Sequence, residues 1–239
     1  MTARFLTRCT AVALAGALLF TLAPEADAKS SRHKKRHRSK SKASTTTSTI
    51  TPKTPVSFST VVVDAGHGGH DRGGIPENII PEKDVALDVA KRLQTHLESG
   101  GLRVVMTRSD DTFVTLGQRV RIANAETDAI FISVHFNAAL RREARGVETF
   151  FGSVTGAPLA RLIQEKRLTV TANPEHRPLK RATFWVRRET KCPAVLAECG
   201  FLTNPEDAEF ALQETSRELL AAQIAAAVLE HRHSLASGN

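Results

Sequence analysis

The stretch Val61-Val-Val-Asp-Ala-Gly-His67 constrains the fold more than any other part of this 239-residue chain. Three consecutive β-branched residues lack the alternation of a half-exposed strand. They predict a strand buried on both faces, as in a parallel sheet covered by helices. Gly66, Gly68, Gly69, Gly73 and Gly74, with Pro76, then predict a loop shaped by its backbone rather than by packing. In open α/β sheets, ligands bind outside the carboxyl ends of the strands. His67 stands at such an end.

The chain beyond this loop alternates between the two periodicities. Pro81 suits the first turn of a helix over residues 82–99, with Val85, Ala86, Val89, Ala90, Leu93 and Leu97 on one face and Gly100-Gly101 as its stop. Residues 102–106 (LRVVM) predict a second strand, giving a βαβ unit with a right-handed crossover. A helix over 114–125 follows, then a strand over 129–134 that ends at His135-Phe-Asn137. A strand is expected over 146–151, a helix over 157–168, a loop over 173–180, and strands over 182–186 and 194–197, the last running straight into Glu198. Asn204-Pro205-Glu-Asp reads as a capped helix start, and 216–231 as a closing amphipathic helix. No internal repeat is visible.

Residues 1–28 stand apart. Arg4 and Arg8 precede an apolar run, and Ala26-Asp27-Ala28 reads as a cleavage site, so the segment predicts a secretory signal peptide rather than a membrane span. Residues 29–56 read as a disordered linker, first basic, with eight Lys/Arg over 29–42, then rich in Ser, Thr and Pro. From Thr54 onward there are 22 Lys/Arg against 23 Asp/Glu, so the basic balance belongs to the tail and not to the domain over 57–239. Nucleic acid is therefore not an expected partner, whereas the tail suits anionic wall or membrane polymers. Cys192 and Cys199 flank an expected strand too long for a disulfide to span, so both are expected to be free.

His67, His135 and Glu198 each follow an apolar strand, and Glu82 opens a helix whose N-terminus lies on the same edge of a parallel sheet. Two imidazoles and a carboxylate with one position left for water make a catalytic zinc set, and a further carboxylate can serve as general base. His70 lies in the loop. His96, His176, His231 and His233 read as surface residues. There is no His-Glu-x-x-His helix.

The motifs carry a resemblance. Asp64-x-Gly66-His67-Gly-Gly, Glu82-Lys83, Thr107-Arg108-x-x-Asp111, Arg119-x-x-x-Ala123-Asn124, Ser133-Val-His135-x-Asn137-Ala, Gly146-x-Glu148-x-Phe and Pro193-Ala-Val-Leu-x-Glu198-x-Gly200-Phe-Leu-x-Asn204 occur in order over nearly the whole core. Together they resemble the zinc-dependent N-acetylmuramoyl-L-alanine amidases of the amidase-3 type. The resemblance implies an α/β single domain with a twisted, mostly parallel six-stranded sheet and helices on both faces. It implies one zinc ion on His67, Glu82 and His135, with Glu198 as the catalytic glutamate. Asn137 would orient substrate, Asp64 and Glu148 would support ligand imidazoles or the scaffold, and Arg108, Asp111 and Arg119 would pair within the scaffold. The substrate implied is peptidoglycan, cut between the lactyl group of N-acetylmuramic acid and L-alanine, with the enzyme periplasmic or extracellular. Rival readings are a stem-peptide metallopeptidase and a non-catalytic wall-binding module. Partner-controlled relatives carry an added helix between the third and last strands. The 62 residues between His135 and Glu198 leave little room for one, so no obligatory activator is expected.

Overall fold

The computed structural model describes residues 57–75, 78–171, 177–181 and 189–238. The signal segment, the linker, the 182–186 strand and His176 lie outside them. Six strands form one sheet in the order β2-β1-β3-β6-β4-β5. They are β1 (Thr60–Ala65), β2 (Arg103–Met106), β3 (Ala129–Asn137), β4 (Glu148–Phe151), β5 (Lys180–Arg181) and β6 (Ala194–Phe201). The pairs β1–β2, β1–β3 and β3–β6 are parallel, and β4 runs antiparallel to β6. The helices are α1 (Glu82–Ser99), α2 (Leu116–Asn124), α3 (Ala157–Leu168), α4 (Pro205–Leu212) and α5 (Glu214–Ser237).

Every residue of β1 is buried, as a valine run between two helical layers requires. Val61 and Val63 pack with α1, α3 and α5 on one face, while Val62 packs with Ala123 of α2 on the other. The α1 face is the spaced set expected, with Leu93 and Leu97 fully enclosed. Thr115 and Gln118 form a reciprocal capping box at α2, and Asn204 accepts hydrogen bonds from the Glu206 and Asp207 amides at α4. Cys192 and Cys199 are free thiols. No helix among the described residues is long and apolar enough to cross a membrane.

Three expectations change. β3 extends to Asn137 and β6 to Phe201, so His135, Asn137 and Glu198 lie on strands and not after them. Cross-strand pairing carries these polar residues: the β3–β6 ladder continues through His135–Glu198 to Asn137–Phe201, with a register shift between the two pairs. Lys180 lies on β5, paired with Phe150, and not in a loop. His231 is buried and stacks on Phe58 with centroids 6.1 Å apart. It continues the buried stripe of Leu220, Ile224 and Val228 on α5, so the apolar environment holds its imidazole below the usual histidine pKa.

The end of β1 is fixed by buried polar groups. The Asp64 carboxylate accepts from Arg119, Thr107 and Ser133, each at 2.6 Å. Burial opposes the charge of Asp64, but Arg119 and the two hydroxyls hold its pKa below the ordinary value. Arg119→Ala leaves a buried, uncompensated carboxylate and is expected to cost about 3–5 kcal/mol. Urea denaturation checks this, and a loss under about 1 kcal/mol, the scale of an exposed pair, contradicts it.

Candidate metal centre and its flanking carboxylate

His67 leaves β1 in a left-handed conformation, φ 59°, which is unfavourable for a side chain larger than glycine. The surroundings impose it. The Arg119 guanidinium donates to the carbonyls of Ala65 (2.6 Å) and His67 (2.7 Å), and Arg108 donates to those of Ala65, Gly66 and Lys83. Asp111 accepts from the Gly69 amide and from Lys83 Nζ. The two arginines and this aspartate therefore pin the glycine loop against the start of α1.

This clamp brings His67 to Glu82, the first residue of α1, and to His135 on β3. Each residue offers one donor atom, and these atoms lie within 4.8 Å of one another. His67 Nε2 is 3.1 Å and His135 Nδ1 2.8 Å from the same oxygen of Glu82, Oε1. That oxygen also accepts from the Phe136 amide at 3.0 Å. Two imidazoles and one carboxylate with converging donor atoms are the donor set of a catalytic zinc site, and the residues fit the ion. The backbone makes room for them. A Cβ at Gly66 would sit 2.6 Å from His135 Nδ1, and one at Gly73 would sit 2.6 Å from Glu82 Oε2.

The electrostatics follow from this crowding. Burial works against a charged His135, yet the hydrogen bond and charge of Glu82 push its pKa up to about 9. His67 is raised in the same way, against the same burial. Glu82 is driven up by burial but down more strongly by hydrogen bonds from His135 and His67, and stays a carboxylate.

Glu198 stands beside His135 in the β3–β6 register. Its Oε2 is enclosed and has no hydrogen-bond partner among the described residues. Burial, reinforced by the like charges of Glu82 and Glu148 and opposed by His135, pushes its pKa up to about 7. An unpaired carboxyl of near-neutral pKa next to a candidate cation site is equipped to take and return a proton.

The structure brings His67, Glu82, His135 and Glu198 together. Asn137 lies two residues beyond His135 on β3, with Nδ2 bonded to Glu148 Oε2 at 3.0 Å. His70 lies apart, exposed against the Phe113 ring. Neither Asp64 nor Glu148 hydrogen-bonds the imidazole of His67 or His135. Asp64 serves Arg119, and Glu148 binds Asn137, Arg177 and Lys180. The support for His67 comes instead from Asp71, whose Oδ2 is 2.9 Å from Nδ1 and fixes the ring orientation. A loop with no period gave no signal for it. Arg167, fully buried on α3, was also missed. It donates to the Glu198 carbonyl at 2.8 Å and to the Glu148 carbonyl at 2.9 Å. Its signal was present, because Arg167 continues the Leu159–Ile163 spacing on the buried face of α3.

Residues 61–230 match the family described as N-acetylmuramoyl-L-alanine amidase, the amidase-3 family. The chain is 38% identical over 160 residues to the N-acetylmuramoyl-L-alanine amidase LytC of Bacillus subtilis, a match spanning 65% of this chain and 32% of LytC. It is 35% identical over 174 residues to the probable cell wall amidase LytH of Staphylococcus aureus, spanning 70% of this chain and 56% of LytH. The chain thus spans about a third to a half of the length of these curated relatives. The crystal structure of an N-acetylmuramoyl-L-alanine amidase from Clostridium difficile 630 superposes with TM-score 0.69 at 32% identity, covering 74% of this chain and 98% of that one.

Two outcomes are expected of the donor cluster. Cation binding must displace protons from imidazoles that hold them above the ordinary histidine pKa. Zinc affinity should therefore rise from pH 6 towards pH 9 and collapse in acid, as read by competition with a chromophoric chelator. Gly66→Ala should lower zinc affinity by roughly 10–100-fold, the scale of a disturbed ligand support, while circular dichroism stays native. Unchanged affinity would show that the close approach to His135 is not needed.

Proposed function

The chain belongs to the N-acetylmuramoyl-L-alanine amidase family, and on that premise we propose that it is an exported zinc hydrolase of peptidoglycan. It would cleave the amide between the lactyl group of N-acetylmuramic acid and L-alanine, in cell-wall remodelling or daughter-cell separation. The observation that carries the reading is the His67, Glu82, His135 cluster with the unpaired Glu198 carboxyl beside it. His67, Glu82 and His135 would hold one zinc ion. When bound, zinc supplies a Lewis acid that polarises the amide carbonyl and makes a nearby water a stronger acid.

The chain's own groups do the rest. Asp71 orients His67, and the Phe136 amide holds Glu82 in place. Glu198 takes a proton from the attacking water on its carboxylate. The water oxygen bonds to the carbonyl carbon, the carbon–nitrogen bond breaks, and Glu198 returns the proton to the leaving nitrogen. The products are a lactyl carboxylate and a peptide with a free alanine amine. Asn137, two residues beyond His135 on β3 and tethered to Glu148, would orient the substrate.

Export through residues 1–28 puts the enzyme in the periplasm or outside the cell. The basic segment over 29–42 would concentrate it on anionic wall or membrane polymers by a salt-sensitive attraction. The cleft would be competent without an activator and would need no nucleic acid.

Mass spectrometry of the products from intact peptidoglycan tests the bond assignment. A new alanine N-terminus on a complete stem peptide is expected, and cleavage within the stem would establish the peptidase instead. Glu198→Gln should reduce hydrolysis by at least about 100-fold, the scale of a lost general base, at unchanged zinc content. Retained activity would remove Glu198 from its role, and a wild-type protein inactive until a partner is added would refute the open cleft.

A further inference from the structure

One row of side chains crosses three neighbouring strands. The register sets His135 opposite Glu198, and Glu198 opposite Glu148. Residues directly opposite in an antiparallel pair point to the same face, with Cβ atoms roughly 5 Å apart. Glu148 is 3% exposed and organises three donors. Its Oε1 accepts from Arg177 at 2.7 Å and from Lys180 Nζ at 2.8 Å, and its Oε2 accepts from Asn137.

One cation would neutralise this carboxylate, yet two converge on it. The pairing leaves a surplus positive charge beside Glu198, and further contacts seat it. The Arg177 guanidinium lies 4.8 Å from the Phe201 ring centroid, and its Nε donates to the Arg145 carbonyl at 2.8 Å. Lys180 Nζ lies 5.5 Å from the Phe150 centroid. The Lys180 side chain is 43% exposed, so an anion in the cleft can reach its ammonium. Glu82, Glu198 and Glu148 would otherwise repel such an anion.

We propose that Arg177 and Lys180, seated on Glu148, form a subsite for a carboxylate on the peptide side of the scissile amide. The proposal rests on the amidase reading. Its reach is consistent: Glu148 is one strand spacing, about 4.8 Å, from Glu198. An extended peptide advances roughly 3.3–3.6 Å per residue. For a peptide running across the strands from Glu198 towards β4, a carboxylate one or two residues beyond the cut amide falls at the two cations. A guanidinium and an ammonium offer it charge-assisted hydrogen bonds.

The test compares kcat/KM of the zinc-loaded full chain on N-acetylmuramoyl-L-alanyl-D-glutamate and on the same compound with both carboxyls converted to carboxamides. The wild type should prefer the acid, and 0.5 M NaCl should shrink the preference. Lys180→Gln and Arg177→Gln should each lower the acid-to-amide ratio about tenfold, through KM, on the scale of a charge-assisted bond. Lys91→Gln, a charge loss on the exposed side of α1, should leave the ratio unchanged. Equal use of both substrates by the wild type overturns the subsite. An equal loss on both substrates in Lys180→Gln, the exposed position, also overturns it, because that assigns the lysine a structural role alone. A wild type that cleaves neither compound overturns the amidase reading, and the subsite falls with it.

Discussion

The site depends on the buried pair between Asp64 and Arg119. Asp64 ends the β1 run inside the sheet, where an ionised carboxylate needs a partner and hydrogen bonds. Arg119 answers it from α2, and the same guanidinium binds the Ala65 and His67 carbonyls. One side chain thus neutralises the buried acid and holds the first candidate ligand in a left-handed backbone conformation that histidine does not favour. That grip on the backbone acts together with the side-chain contacts of His67 to Glu82 and Asp71.

The candidate site is laid out along the sheet. Strand register aligns His135, Glu198 and Glu148 on β3, β6 and β4. Arg167 locks the last two strands from below through their carbonyls. A fully buried guanidinium is costly, and its carbonyl and hydroxyl partners offset part of that cost. The row grades from candidate metal ligand, to proposed proton carrier, to the acid that seats two cations. Antiparallel pairing of β4 against an otherwise parallel core puts Glu148 opposite Glu198 on the same face.

Much of the fold was legible because its signals are local. The valine run gave a strand buried on both faces, and the period of α1 gave its buried side. Asn204-Pro205 gave a capped helix start. His231 and Arg167 were legible in principle, since each continues an apolar helical spacing. Strand ends were set short at His135 and Glu198 because polar residues mark a stop when the neighbouring strand is unknown.

The sequence by itself determined that apolar strands deliver histidines and glutamates to one edge of an α/β sheet, since side-chain periodicity and backbone permissiveness are properties of short segments. It could not decide which of these groups touch. Asp71 as the support for His67, Asp64 as the partner of Arg119, and Glu148 as the seat of Arg177 and Lys180 came only from the tertiary structure. Hydrogen bonds and register join residues up to 55 positions apart in these pairs, and no local pattern encodes which distant donor a carboxylate will meet.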